Sequence, residues 1–125
     1  MGLDVSHNCW HGAYSAFHRF RQELCRAAGW DGAVAWFESG PFDAGEFIIT
    51  DEMGQDPLIF LIDHSDCDGK IKKKHCLPLA KRLKELLPLV DDSISGGHLS
   101  MKADVKQFIA GLRLAHKHKE SVEFR

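Results

Sequence analysis

The apolar residues of this chain recur at helical rather than alternating spacing, and that rhythm limits its folds more than any other feature. From His11 to Ala28 the side chains Ala13, Phe17, Phe20, Leu24 and Ala27 fall on one helical face, and Gly29 follows where a C-terminal cap belongs. A second helix is expected from Pro78, carrying Leu79, Leu83, Leu86, Leu87 and Val90, with a break or kink near Pro88. A third is expected from Asp104, with Val105, Phe108, Ile109, Leu112 and Ala115 turned inward. Between them, Ala33–Phe37 and Glu46–Thr50 read as short strands or irregular apolar segments divided by a Gly- and Pro-containing turn. Met1–His11 reads as polar and irregular, 93–98 as a glycine-containing loop, and Glu120–Arg125 as an edge strand. At 125 residues and 44% hydrophobic composition the chain suits one globular domain, 1–125, of helix-rich α+β class.

The segment most specific for chemistry is His64-Ser65-Asp66-Cys67-Asp68-Gly69-Lys70-Ile71-Lys72-Lys73-Lys74-His75. It has the spacing of an EF-hand calcium loop whose two end ligands have become histidine. His64 takes the first place, Asp66 and Asp68 the third and fifth, Gly69 the sharp turn, Ile71 the apolar eighth place and His75 the closing position. Asp56-Pro57 before Leu58, Phe60, Leu61 and Ile62 reads as a short entering helix, which makes an EF-hand-like helix-loop-helix segment. Calcium asks for about 6 to 8 oxygen ligands, whereas two imidazoles beside two carboxylates suit a divalent transition metal, zinc first. The same Asp-Cys-Asp-Gly also makes an ordinary turn capped by aspartate, with glycine supplying positive φ.

A second cluster, Asp4, His7, Cys9 and His11, precedes the first helix. In an extended chain alternate residues share a side, so His7, Cys9 and His11 are candidates to converge on one ion, completed by Asp4, Cys76 or water. The competing reading is helix capping and packing beside Trp10. Cys9-Trp10 ahead of a helix also superficially matches the nucleophile of papain-like peptidases, with His64, His75 or His98 as base and Asp63 or Asp66 to orient it. The bare dipeptide lacks the rest of that signature. His18, His116 and His118 read as helix-surface residues, the last two favourably placed at a helix C-terminus.

The formal charge of −2 hides an asymmetry, because residues 1–60 hold nine acids and three bases while 61–125 hold nine acids and thirteen bases. The densest positive stretch, Lys70, Lys72, Lys73, Lys74, Lys81, Arg82 and Lys84, offers either a solvated face or a site for a small anionic ligand or host protein. The acidic total and the lack of interleaved aromatic residues argue against nucleic acid. No apolar run approaches the roughly 20 residues needed to cross a bilayer, and no secretory signal profile opens the chain, so a cytoplasmic protein with four reduced cysteines is expected.

Gly2-Leu3-Asp4-Val5-Ser6-His7, Trp10-His11-Gly12-Ala13-Tyr14-Ser15-Ala16-Phe17 and His64-Ser65-Asp66-Cys67-Asp68-Gly69 together resemble a family of small phage and prophage proteins with no established activity. The resemblance extends to Phe108-Ile109-Ala110-Gly111-Leu112-Arg113. It implies a host cytoplasm and makes contact with host machinery or a host nucleotide signal an expectation. The sequence-level reading is therefore a protein binding a divalent transition metal through His64, Asp66, Asp68 and His75, with His7, Cys9 and His11 close by. A metal-assisted or Cys9-dependent hydrolase and a metal-free interaction or nucleotide-binding module are the alternatives.

Overall fold

Residues 2–13 form a hairpin where irregular chain is expected over Met1–His11. In the computed structural model, which describes residues 2–39, 50–62, 69–92 and 100–124, strand β1 (Gly2–Val5) pairs antiparallel with β2 (Trp10–Ala13) in the register Val5 to Trp10 and Gly2 to Ala13. The alternation is legible afterwards: Leu3 and Val5 are buried while Asp4 between them is exposed. Because β2 claims residues 10–13, helix α1 starts at Tyr14 rather than His11 and runs to Ala27. Trp10 folds its ring across Gly12, whose φ of +148° suits only glycine, and a β-carbon there would stand 3.0 Å from the indole.

Gly29 closes α1 as its position predicts. At φ +81° its amide donates to the Arg26 carbonyl at 3.1 Å, and the Trp30 amide reaches back to Cys25 at 2.9 Å, the paired bonds of a Schellman cap. The chain re-enters a helix at once, α2 (Asp31–Ser39), so Ala-Val-Ala-Trp-Phe is helical and not a strand. Asp31 favours the start through the helix dipole, and Ala33 is buried with Val34 and Trp36 packed beside it, a one-sided contact that alternation would have split between two faces. The second expected strand, 46–50, lies outside the described residues except for Thr50. That residue is the N-cap of α3 (Asp51–Gln55), its hydroxyl accepting from the Met53 amide at 3.2 Å.

Asp56 accepts from the Leu58 amide at 3.0 Å and introduces α4 (Ile59–Ile62), the expected short helix. Strand β3 (Lys70–Ile71) follows, then α5 (Lys73–Leu86). Helix α5 begins five residues before Pro78, whose ring sits on an exposed position of the continuing helix. The expected break near Pro88 is a tight 3-10 turn, Leu87–Leu89. Helix α6 (Met101–His118) also starts ahead of expectation, because Ser100 supplies the cap: its hydroxyl accepts from the Ala103 amide at 3.2 Å, and Asp92 accepts from Lys102 at 2.9 Å. The expected edge strand is β4 (Val122–Glu123), antiparallel to β3. This helix-rich arrangement with two small antiparallel pairs is of α+β class.

Phe17, Phe20 and Leu24 of α1 and Val105, Phe108 and Leu112 of α6 are fully buried, with Leu79 and Leu83 of α5 beside them. Phe20 stacks on Phe108 at 5.8 Å, and Phe17 meets Trp10 at 5.1 Å and Phe124 at 5.7 Å. A buried carboxylate, Glu23, holds α1 to the segment after α5 by accepting from the Asp91 amide at 2.6 Å, and it also positions Arg26 of its own helix, at 2.7 Å, to donate to the Leu89 carbonyl at 2.9 Å.

Gly111 lies inside α6, where alanine is ordinarily preferred by about 1 kcal/mol. Here a β-carbon would stand 2.3 Å from the Cys9 sulfur and 2.9 Å from both the Cys9 Cα and the His7 carbonyl oxygen. Gly111→Ala is expected to destabilise by about 2–3 kcal/mol in urea denaturation, and Cys9→Ala to relieve only part of that because two of the contacts are backbone. A neutral or stabilising Gly111→Ala would refute the close approach.

Candidate functional site

Hairpin β1–β2 is closed by Ser6-His7-Asn8-Cys9, a turn without glycine in which His7 and Asn8 both have positive φ, 61° and 59°. The Cys9 amide donates to the Ser6 carbonyl at 3.2 Å, and the two left-handed residues give the turn the twist a hairpin needs. Each costs of order 1–2 kcal/mol relative to ordinary backbone, so other contacts must hold them. Helix α6 does this: Gln107 donates its side-chain amide to the Asn8 carbonyl at 2.9 Å, and Gly111 admits the Cys9 backbone. Lys119, at φ 58° the third non-glycine residue with positive φ among the described residues, ends α6 and turns the chain so that Glu120 faces the same turn.

The result is an open polar cleft of about 760 Å³ between the turn, β3 and the segment around β4. Asp4, Glu120 and Glu123 bring carboxylates to its wall, His7, His11 and Lys70 bring nitrogen, and Ser6, Asn8 and Ser121 complete the polar lining. His7 approaches Ser6 Oγ through Nδ1 at 2.8 Å and Glu120 Oε1 through Nε2 at 3.1 Å. His11 approaches Asp4 Oδ1 through Nδ1 at 2.7 Å and Asn8 Oδ1 through Nε2 at 2.7 Å. Ser6 Oγ also accepts from the Glu123 amide at 2.8 Å, which ties the turn to β4.

The predicted convergence of His7, Cys9 and His11 fails locally, because the turn interrupts the alternation on which it relied. His7 and His11 face the cleft, whereas Cys9 is fully buried against α6. Among the described residues no three His, Cys, Asp or Glu side chains gather as a metal site needs. Burial pushes the Cys9 thiol up to about 12, with a further rise from neighbouring Cys76. Burial likewise holds Cys25 at about 12 and raises Cys76. These are packed thiols, opposite in character to the exposed thiolate that a Cys9 nucleophile requires.

Of the loop ligands, His64, Asp66 and Asp68 lie outside the described residues, as do Asp63, Cys67 and His98. His75 is half-buried in the first turn of α5, its ring stacked on Phe60 with centroids 3.7 Å apart and planes 5° from parallel. Partial burial and the charges of Lys74 and Lys72 hold its pKa below the usual histidine value, favouring the neutral imidazole. The basic stretch divides: Lys70, Lys72, Lys73, Lys74, Lys81 and Lys84 are exposed, but Arg82 binds Asp56 through Nε at 3.0 Å. His116 and His118 are exposed at the end of α6 as expected, while His18 on α1 is half-buried.

Ser6 and Glu120 had no sequence signal. Glu120 stands 113 residues from His7; the pairing of β4 with β3, the Ser6 bond and the bridge from Val5 to Phe124 bring them together. Comparison with protein-family models, curated proteins and solved structures finds no match.

The folded state retains thiol protons that an unfolded chain loses near pH 9.0, so stability is full below that value and falls as pH climbs toward about 12. Urea midpoints are expected to drop between pH 9 and pH 11, with a shallower drop in Cys25→Ala. In a Cys67→Ser background, a thiol reagent at pH 8 should modify Cys9, Cys25 and Cys76 only as fast as the protein opens. Immediate labelling of Cys9 would restore the reactive-thiol reading.

Proposed function

We propose that this chain binds a divalent transition metal, zinc foremost, through His64, Asp66, Asp68 and His75. The observation that carries the reading is the form of the loop's exit half. Ile71, at the eighth place, is 1% exposed and lies in a two-residue antiparallel strand. Lys72 is extended, and α5 begins at the tenth place, so the twelfth residue, His75, stands in the helix's first turn, where a closing ligand is needed. The entering side is also anchored: the buried Arg21 guanidinium donates to the carbonyls of Leu61 and Ile62, both at 3.5 Å, at the end of α4.

Imidazole at both ends and carboxylate between them favour zinc, nickel or cobalt over calcium. The role is binding or structural, and the phage resemblance supplies a host cytoplasm and a host partner as its setting. No helix among the described residues is long and apolar enough to cross a membrane. Lys70, the loop's seventh residue, also lines the polar cleft.

Protein purified without affinity tag or chelator should carry zinc by elemental analysis, and its removal should lower the melting temperature. Occupancy at a hundred times the dissociation constant corresponds to about 2.7 kcal/mol. Replacing His64 with Asp and His75 with Glu should raise calcium affinity and weaken zinc affinity, each by about tenfold or more, in calorimetric titration. If neither protein takes up zinc, nickel or calcium more tightly than about millimolar, the segment is a capped turn and the proposal falls.

A further inference from the structure

We propose that Ser6, His7 and Glu120 act as nucleophile, general base and orienting carboxylate in an acyl-transfer site that accepts small polar carboxylic esters in the cleft beside β4. The proposal shares Lys70 with the metal loop but uses none of the residues proposed there as ligands. A serine bonded to the next residue is commonplace in turns. What distinguishes this pair is a carboxylate delivered from 113 residues away, a cleft that all three side chains line, and a backbone held in the left-handed region at the base itself.

The polarity of the hydrogen-bond chain follows from its ends. An ionised Glu120 carboxylate only accepts, so His7 donates to it from Nε2, and in the neutral imidazole Nδ1 is then left unprotonated. The Nδ1 lone pair faces Ser6 Oγ at 2.8 Å, while the Glu123 amide donates to the same oxygen at 2.8 Å. The serine proton is thereby directed at His7. The ring is turned end for end relative to the serine-protease arrangement, but nucleophile, base and orienter keep their roles.

In the reaction, Ser6 Oγ attacks the ester carbonyl carbon and its proton passes to His7 Nδ1. The imidazolium formed is stabilised through Nε2 by Glu120. The tetrahedral oxyanion has two donors in the cleft lining, the Lys70 ammonium and the Asn8 side-chain amide, whose oxygen is already turned to His11 at 2.7 Å. Collapse breaks the bond to the alkoxy group, which leaves as the alcohol with the proton from His7. Water then attacks the acyl-Ser6 carbonyl, giving its proton to His7 Nδ1, and the second collapse releases the carboxylic acid and returns the proton to Ser6. Glu120 acts through His7 and is a positioning residue.

The test uses the full chain with a fluorophosphonate probe and p-nitrophenyl acetate. Wild type should acquire one phosphonate on Ser6, located by peptide mass spectrometry, and should hydrolyse the acetate, with both rates unchanged by chelator. His7→Asn is the informative variant, since asparagine tolerates the left-handed backbone. It should keep the melting temperature and lose about 100-fold or more of both rates. Glu120→Gln should lower kcat with KM preserved, and Glu120→Asp should recover part of the loss. Folded wild type left unlabelled at Ser6, a label carried elsewhere, His7→Asn as fast as wild type, or activity abolished by chelator would each overturn the proposal.

Discussion

The edge and face contacts of Phe17 connect the hairpin, α1 and the chain beyond β4, three of the segments that position the cleft. Its ring meets Trp10 of the hairpin, Phe20 of its own helix and Phe124 beyond β4, and Phe20 passes the contact on to Phe108 of α6. Two segments from each end of the sequence are thereby fixed against one another. Aromatic pairs of this kind contribute about 0.5–1.5 kcal/mol each beyond the area they bury, but their larger role is geometric. Rings admit few mutual orientations, so the hairpin cannot slide along α6 without disturbing the Trp10–Phe17 or Phe20–Phe108 contact.

That rigidity explains how a turn without glycine keeps two left-handed residues. Strain in a hairpin loop is normally relieved by glycine or by fraying, and neither is open to Ser6-His7-Asn8-Cys9. Cys9 is inserted against α6, the Asn8 carbonyl is bonded by Gln107, and Ser6 is bonded by the backbone of β4. Relaxing φ at His7 would break several of these together. Histidine and asparagine are among the side chains that bear such a backbone best. A polar pair can thus stand at a position where most hairpins carry asparagine and glycine, and the side chains so displayed form one wall of the cleft.

The helices were legible because their cores are one-sided: Phe17, Phe20 and Leu24, or Val105, Phe108 and Leu112, can share a face only at the helical period. Gly29 was legible because a left-handed C-cap has a residue preference. The starts of α5 and α6 were misplaced by proline and aspartate, good helix openers that were outranked by Lys72 in extended conformation and by the Ser100 hydroxyl. The hairpin was missed because its turn carries none of the expected glycine, and α2 because short apolar runs of β-branched and aromatic residues fit either period. As for the sites, the loop's ligands are contiguous and so could be read locally. The cleft joins residues from both ends of the sequence, and no local pattern encodes such a meeting.

Strand β4 contains only Val122 and Glu123, yet it faces two ways. Toward the loop it pairs with β3, and the next amide, of Phe124, donates to the Gly69 carbonyl at 2.9 Å. Toward the hairpin, the Glu123 amide donates to Ser6 and Val5 bridges to Phe124. Contacts that join the two ends of the chain, such as the one spanning 117 residues between Ser6 and Glu123, carry a high loop-closure cost. The hairpin and α1 have local contacts enough to form early, and the cleft does not. On that physics the cleft is expected to be completed late, when β4 docks and brings Glu120 and Glu123 to the side chains that the hairpin turn already displays.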